Sequence, residues 1–303
     1  MHGRRHSRSR DAAAIAHHYD VSNAFYRLVL GPSMTYSCAV WSAPDIALEH
    51  AQVAKYDLVA RKLGLRPGMR LLDVGCGWGG MAIHAAERYG VAAVGITLSR
   101  PQAEWAEKAA AEAGIAHRVE IRVQDYRDVR DGPFDAISSI GMFEHVGLSQ
   151  VQTYFGELHD LLPPGGRLLN HGISTPPAKR ARFVRKSFID RYVFPDGELH
   201  EVGSVVSAVQ RSGLEVRHVE SLRQHYALTL RAWVRNLERS WDEAANEVGA
   251  ARARIWRLYM AASALNFEAG RTQVHQVLAV KATNGVSGFP LRPDFDTGRP
   301  PSS

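Results

Sequence analysis

A glycine-rich segment that follows a short apolar run constrains the fold of this chain more than any other feature. Residues 71–74 (Leu-Leu-Asp-Val) have the composition of a buried strand, and three glycines follow Asp73 at alternate positions: Gly75, Gly77 and Gly79. Glycine lets the backbone turn sharply and approach a ligand closely, because it has no Cβ to collide with. A dinucleotide fingerprint would read G-x-G-x-x-G, whereas the order here is D-x-G-x-G-x-G. This order favours S-adenosylmethionine as the ligand over a pyrophosphate.

Downstream of this segment, short apolar runs alternate with helical stretches, which is typical of an α/β fold. Five strands are predicted, at residues 70–74, 91–96, 119–123, 134–140 and 167–173. Each gap between them can hold a crossover helix, so these strands are expected to be parallel. Two later strands, at 214–219 and 273–280, would complete a seven-stranded sheet that ends in a reversed hairpin. Residues 228–267 have a helical pattern with an apolar stripe that we expect to be mostly core: Trp233, Leu237, Trp241, Val248, Ile255, Leu258 and Tyr259.

Composition and charge limit the function classes. The chain has 303 residues and 45% hydrophobic content, enough for one large globular domain, and no apolar run approaches the about 18 residues of a spanning helix. Two cysteines, Cys38 and Cys76, exclude a disulfide framework and fit a reducing, cytoplasmic compartment. The net charge of +6 owes much to four arginines in the first ten residues: Arg4, Arg5, Arg8 and Arg10. This arm could meet nucleic acid, an anionic membrane surface on the cytoplasmic side, or only solvent; without an RNA-binding motif, nucleic acid is not expected.

Polar residues follow several of the predicted strands, and ligands in open α/β sheets bind beyond the carboxyl ends of strands. Gln102 follows the second strand and could hold a ribose in place of the acidic residue common there. Asp125 after the third strand can accept a hydrogen bond from an adenine amino group, and Tyr126 can pack on the ring. The fourth and fifth strands lead into residues 141–147 (Gly-Met-Phe-Glu-His-Val-Gly) and 170–173 (Asn-His-Gly-Ile).

Seven segments together carry a family resemblance. They are 18–23 (His-Tyr-Asp-Val-Ser-Asn), 34–39 (Met-Thr-Tyr-Ser-Cys-Ala), 73–80, 95–99 (Gly-Ile-Thr-Leu-Ser), 139–147, 192–197 (Tyr-Val-Phe-Pro-Asp-Gly) and 225–233. In this order, over about residues 15–280, the chain resembles the cyclopropane-fatty-acid synthase family, which includes the mycolic acid cyclopropane synthases and related lipid methyltransferases. The glycine loop alone would indicate only a methyltransferase. The segments 36–38 and 143–147 are specific to this family.

The resemblance implies a Rossmann-like, seven-stranded class I methyltransferase sheet with a helical lipid-binding cap. The expected organisation is a basic arm at 1–14, the N-terminal part of the cap at 15–69, the methyltransferase domain at 70–280 with cap insertions at about 174–200 and 222–270, and a flexible tail at 281–303. The family also allows for a homodimer. Larger relatives carry an additional N-terminal domain, and only the arginine arm is expected in its place here.

Family members transfer the methyl group of S-adenosylmethionine to the double bond of an unsaturated acyl chain, carried by a phospholipid or an acyl carrier protein. Attack by the alkene leaves a carbocation, which needs dry aromatic surroundings and then a base. Proton loss from the transferred methyl closes a cyclopropane, whereas loss elsewhere gives a methylene or methyl branch. Methylation of a small specialised metabolite is an alternative, and a non-catalytic cofactor- or nucleic-acid-binding module is another.

By resemblance, the base is a bicarbonate ion held by four side chains, with the backbone near Ile173: Cys38, Glu144, His171 and Tyr226. The cofactor contacts implied are Tyr36, Ser37, Gly75, Gly77, Thr97, Leu98, Gln102, Asp125, Tyr126 and Ile140. Asp73 and Gly79 join them as part of the glycine motif. Ser263 stands where many relatives carry a cysteine, and His145 is expected to be structural. No metal site is expected, because the pair His17-His18 has no Cys or acid cluster beside it.

Overall fold

A computed structural model describes residues 22–177 and 199–295. The basic arm, the pair His17-His18, the segment 192–197 and most of the insertion at 174–200 lie outside the described residues. Seven strands are present: β1 (Arg70–Val74), β2 (Ala92–Thr97), β3 (Val119–Val123), β4 (Ala136–Ile140), β5 (Arg167–Ser174), β6 (Glu215–Ser221) and β7 (Gln273–Val280). They form one sheet in the order β3-β2-β1-β4-β5-β7-β6. The predicted seven-stranded α/β sheet is therefore confirmed, with strand boundaries shifted by one or two residues.

The direction of the strands follows from their connections. β3, β2, β1, β4 and β5 are parallel, whereas β7 runs antiparallel to both β5 and β6, which is the predicted reversed hairpin. The helices of the described residues are α1 (Asn23–Leu30), α2 (Leu48–Leu63), α3 (Gly80–Tyr89), α4 (Arg100–Glu112), α5 (Val151–Asp160), α6 (Val202–Arg211), α7 (Arg223–Arg239), α8 (Trp241–Val248) and α9 (Ala250–Glu268).

Both faces of the sheet are covered, because successive side chains of a strand point to opposite faces. In β5, Leu169 packs with α2 and α3 on one face, while Leu168 packs with α5 and α6 on the other. Leu71 and Leu72 of β1 divide between the two faces in the same way. Strands buried on both faces need apolar residues at nearly every position, which explains the continuous apolar runs in the sequence.

A third apolar cluster lies beyond the sheet and belongs to helices α1, α7, α8 and α9, which we call the helical cap. It is rich in aromatic side chains and includes Tyr26, Trp233 and Trp256. None of the helices in the two described ranges combines the length and apolar character needed to cross a membrane.

The predicted helical pattern at 228–267 is divided in the structure among three helices, α7, α8 and α9. Gly249 ends α8 with a φ of +83°, a backbone conformation that favours glycine, and this changes the phase of the helix that follows. Trp233, Leu237 and Tyr259 of the apolar stripe are buried, whereas Leu258 is 56% exposed. A helical stripe stays on one face only while the helix is unbroken.

We expect Leu169→Ala to lower the free energy of unfolding by about 2–5 kcal/mol, because it leaves a cavity where a fully buried side chain of the interior strand β5 was packed. Denaturant unfolding followed by circular dichroism measures this loss. Leu291→Ala is the matched control, since Leu291 is 96% exposed and its truncation should change stability by no more than about 0.5 kcal/mol. Equal losses for the two variants would contradict the assignment of the core.

Candidate active site

A bent cleft opens at the carboxyl edge of the parallel strands. Its outer lobe has a volume of about 780 Å³ and its inner lobe about 520 Å³. The lobes share Gly75, Gly77, Gln102 and Gly141 in their walls, so they form one cavity. The predicted cofactor residues in the outer lobe are Thr97, Leu98, Asp125 and Tyr126, and those in the inner lobe are Tyr36, Ser37, Asp73 and Ile140. His145, expected to be structural, also lines the outer lobe.

The glycine loop is held against the end of β2. The N–H groups of Gly75 and Cys76 both donate to the Ile96 carbonyl, at 3.0 and 2.9 Å. Gly77 has a φ of +55°, and a Cβ added there would meet no protein atom within 4 Å. This open space is the cleft itself. The loop therefore presents bare backbone to whatever occupies the cavity.

Gly79 differs from the other two glycines of the motif, since it does not line the cleft. Its φ is +83°, and a Cβ there would lie 2.8 Å from Cβ of Ala106 in α4. This glycine therefore permits close packing of α3 against α4. Its contribution to the cavity is to position the start of α3.

The polar side chains of the outer lobe are held by bonds within the protein. The Thr97 hydroxyl donates to Oε1 of Gln102 at 3.0 Å, which directs the amide of this buried residue. The carboxylate of Asp125 accepts from the backbone N–H of Arg127 at 2.9 Å and from its guanidinium at 2.6 and 2.8 Å. Tyr126 packs edge-on against Tyr154 with ring centroids 5.0 Å apart. These contacts fix an acceptor and an aromatic ring at the end of β3.

The inner lobe contains a buried pair of opposite charge. Asp73 accepts a hydrogen bond of 2.6 Å from the Ser138 hydroxyl, and burial raises the pKa of Asp73 to about 6. Lys55 of α2 lines the same lobe with its ammonium 3.6 Å from the centroid of the Tyr56 ring. Burial lowers the pKa of Lys55 to about 7, although the nearby Asp73 opposes this shift.

The sequence prediction missed Lys55. Its only signal is a charged residue on a face of α2 that also carries Ala51 and Val59, four positions away on either side and both buried.

Glu144 and His171 each have one buried polar atom without a hydrogen-bond partner among the described residues. The Ile173 N–H donates to Oε1 of Glu144 at 2.7 Å, while Oε2 has no hydrogen-bond partner among the residues described. Burial raises the pKa of Glu144 to about 7. Nδ1 of His171 lies 3.1 Å from the amide nitrogen of Gln276, and Nε2 is likewise unpaired within the described ranges. Burial, assisted by Lys55 and Lys62, lowers the pKa of His171 to about 3, so the ring is neutral.

A path of backbone contacts joins these two residues to Cys38 and Tyr226. Ile173 lies opposite Val274 across the β5–β7 pair, and the Val274 carbonyl accepts from the Leu222 N–H at 3.0 Å. The Leu222 carbonyl accepts from the Tyr226 N–H at 3.0 Å and from the Cys38 thiol at 3.7 Å. The four side chains of the predicted anion site therefore come from segments linked by successive contacts, although they span nearly 190 positions of the chain.

The Cys38 thiol is buried, and burial raises its pKa well above the usual value. It therefore stays protonated and is not a nucleophile. Within the described part of the chain, no group of three or more His, Cys, Asp or Glu side chains could hold a metal ion.

Aromatic rings of the helical cap pack against Tyr36, in the loop between α1 and α2, and against Tyr226 of α7. Tyr36 lies 5.3 Å from Trp233 and 5.7 Å from Tyr26 between ring centroids. Tyr226 packs on Phe267 at 4.7 Å and edge-on against Trp233 at 6.1 Å. We call these five rings the aromatic wall, and they give the inner end of the site an apolar surface that keeps bulk water out.

Comparisons with known proteins agree with this geometry. Residues 6–277 match the family model of mycolic acid cyclopropane synthetase. The chain is 52% identical over 289 residues to a "probable fatty acid methyltransferase" of Mycobacterium tuberculosis, covering 95% of this chain and 67% of that protein. It is 41% identical over 254 residues to cyclopropane mycolic acid synthase 2 of Mycobacterium leprae, covering 76% of this chain and 81% of that one.

A solved structure of mycolic acid cyclopropane synthase CmaA1 in complex with SAH and CTAB superimposes with a TM-score of 0.83 at 36% identity. The match covers 88% of this chain and 97% of that structure. The match to the family model spans nearly the whole chain. The seven-stranded sheet and the glycine loop beside the cleft agree with that match. This chain belongs to the mycolic acid cyclopropane synthetase family and is an S-adenosylmethionine-dependent methyltransferase.

Proposed function

We propose that this methyltransferase acts on the double bond of an unsaturated fatty acyl chain and forms a cyclopropane, with bicarbonate as the proton acceptor. The observation that carries the proposal is the pair of unpaired buried atoms, Oε2 of Glu144 and Nε2 of His171, beside an aromatic wall. Leaving a buried polar group unpaired costs about 1–3 kcal/mol, so such a pair indicates a small polar ligand. The names of the relatives, fatty acid methyltransferase and cyclopropane mycolic acid synthase, support the acyl substrate.

The cofactor fits the two lobes according to their chemistry. In the outer lobe, Asp125 offers a fixed acceptor for an adenine amino group, Tyr126 offers a ring face, and the Gln102 amide can hold the ribose. In the inner lobe, Ser37 and the buried charges of Asp73 and Lys55 suit the amino-acid end of the cofactor. In this assignment the cofactor extends from the carboxyl edge of the sheet toward the aromatic wall, where the reaction would occur.

The four side chains of the predicted anion site suit a bicarbonate ion. His171 is neutral and can donate through one ring nitrogen, and Glu144 with a pKa of about 7 can accept the acidic proton of the anion. The Ile173 N–H donates to Oε1 of Glu144, so the backbone near Ile173 lies beside the proposed anion site. When bound, S-adenosylmethionine supplies an electrophilic methyl group and bicarbonate supplies a weak base.

The aromatic wall serves the electron-poor stage of the reaction. Tyr226 and Trp233 are buried and Tyr36 is partly buried, and their ring faces can stabilise a positive charge on the acyl chain without offering it a nucleophile. The positive charge is therefore stabilised by ring faces, and the Glu144 carboxylate accepts from the anion.

A methylene- or methyl-branched product is the second candidate, because the relative at 52% identity is named a fatty acid methyltransferase and not a cyclopropane synthase. Both products arise from the same cation. The position of the base relative to the transferred carbon selects between them.

We expect Gly77→Ala to weaken the binding of S-adenosylhomocysteine by roughly tenfold or more, the equivalent of about 1.4 kcal/mol, because the new Cβ occupies cavity space. Isothermal titration calorimetry measures the affinity. Gly114→Ala is a matched control, since Gly114 also has a positive φ of +73° and no atom within 4 Å, but lies outside the cleft. Strain should destabilise both variants similarly, so an equal loss of affinity in both would remove Gly77 from the cofactor site.

The product assay tests the reaction itself. We expect the full chain, methyl-labelled S-adenosylmethionine and vesicles of a phospholipid with a cis-monounsaturated chain to yield a labelled acyl chain that has gained one CH2 and lost its alkene signals. Mass spectrometry and proton NMR of the released fatty acid measure both changes, with saturated vesicles as the control. A new exocyclic methylene would support the branched product instead. Labelling of small molecules with none in lipid would refute acyl transfer.

We expect Glu144→Gln to lose about 10²-fold or more in turnover while it binds S-adenosylhomocysteine normally. The amide oxygen can keep the bond from the Ile173 N–H, but the NH2 group in place of Oε2 cannot accept a proton from the anion. Turnover and calorimetry are compared with Glu112→Gln, a control whose side chain is 69% exposed. Unchanged turnover would remove Glu144 from the base assembly.

A further inference from the structure

Two side chains behind His171, on the side away from its unpaired nitrogen, form a buried hydrogen-bonded relay. The Lys62 ammonium donates to Oε1 of Gln276 at 2.6 Å, and Nε2 of Gln276 lies 3.1 Å from Nδ1 of His171. The three side chains are between 0% and 2% exposed. Glu220 of β6 forms an ion pair with Lys62 and compensates its charge.

The fold sets this relay in place. Gln276 lies directly opposite His171 in the register of the β5–β7 pair. It is a polar residue within a strand of buried apolar ones, Val274, Val277 and Leu278. Lys62 comes from the last turn of α2, which packs on the sheet beside β5. Neither Lys62 nor Gln276 belongs to a motif that the sequence singled out.

The chemistry of the relay leaves one arrangement of protons. An ammonium group can only donate, so the Gln276 oxygen must face Lys62 and its NH2 group must face His171. The NH2 group can only donate, so Nδ1 of His171 must accept. The ring is neutral, and its single proton is therefore on Nε2. This is the nitrogen that has no partner in the described parts of the chain.

We propose that Lys62 and Gln276 are positioning residues that hold His171 as the Nε2–H tautomer and so present a buried donor to an anion. The identity of that anion rests on the proposed function, whereas the tautomer does not. Rotating the Gln276 amide would set donor against donor at Lys62, and each unpaired buried group costs about 1–3 kcal/mol. Without the relay, an acceptor nitrogen could face the anion and repel it.

The ring 15N resonances of histidine distinguish the two neutral tautomers and the imidazolium, so NMR of the 15N-histidine-labelled full chain tests the proposal. His171→Asn identifies the signal by its absence. We expect wild-type protein to show the Nε2–H pattern from pH 6 to 9. We expect Gln276→Glu to show Nδ1–H, because its carboxylate can accept from both Lys62 and His171. An Nδ1–H or imidazolium pattern in the wild type would overturn the proposal.

A second variant covers the case in which Gln276→Glu fails to fold. Lys62→Met removes the group that orients the amide, so both tautomers should appear. Gln210→Glu on the exposed face of α6 is the matched control and should leave the wild-type pattern unchanged. An unchanged pattern in Lys62→Met as well would show that the lysine orients nothing.

Addition of bicarbonate alone then links the tautomer to anion binding. It should shift the His171 Nε2–H signal in the wild type and not in Gln276→Glu, while kcat/KM of that variant falls at least about tenfold with unchanged S-adenosylhomocysteine affinity. If the tautomers are as expected but bicarbonate shifts no His171 signal, only the role of His171 as a donor to the anion is refuted. The expected tautomers and shift with no acyl product would refute the proposed function and leave the positioning role standing.

Discussion

Hydrogen bonds along both edges of β5 determine where every group of the proposed anion site lies. On the β4 side, the Gly141 N–H donates to the His171 carbonyl at 2.9 Å and starts the loop that carries Glu144. On the β7 side, the register places Gln276 opposite His171 and Val274 opposite Ile173. Val274 in turn anchors Leu222, to which Cys38 and Tyr226 are bonded. One strand therefore aligns residues that are far apart in the sequence.

A second feature of the site is the burial of its ionisable groups. Lys55, Asp73, Glu144 and His171 are all buried, and burial shifts the pKa of each toward its neutral form. Such groups weaken a core unless they serve a purpose, and two of them, Lys55 and Asp73, line the inner lobe of the cleft. Because few of them carry a full charge, the aromatic wall can lie against them. The site thus combines polar recognition at one end with a dry surface at the other.

Much of the architecture could be predicted because it depends on local patterns. Apolar runs separated by helical stretches indicate parallel strands, and the glycines after Asp73 indicate the loop at their carboxyl ends. The helical pattern at 228–267 does not reveal the breaks between three helices, since the one at Gly249 depends on the positive φ of that residue. Gly79 was assigned to the cofactor with its neighbours, yet its contact is with Ala106 of a neighbouring helix. A motif gives the spacing of glycines but not the object that each one approaches.

By itself the sequence determined the sheet and the glycine loop, and its resemblance to the family predicts Cys38, Glu144, His171 and Tyr226 as one set. Only the tertiary structure decided where Lys55, Lys62 and Gln276 lie, which belong to no quoted motif. Their effects arise from pairing across strands and from burial, as when Gln276 meets His171 through the β5–β7 register. The spacing of residues along the sequence does not predict these contacts, because they form only when the chain packs.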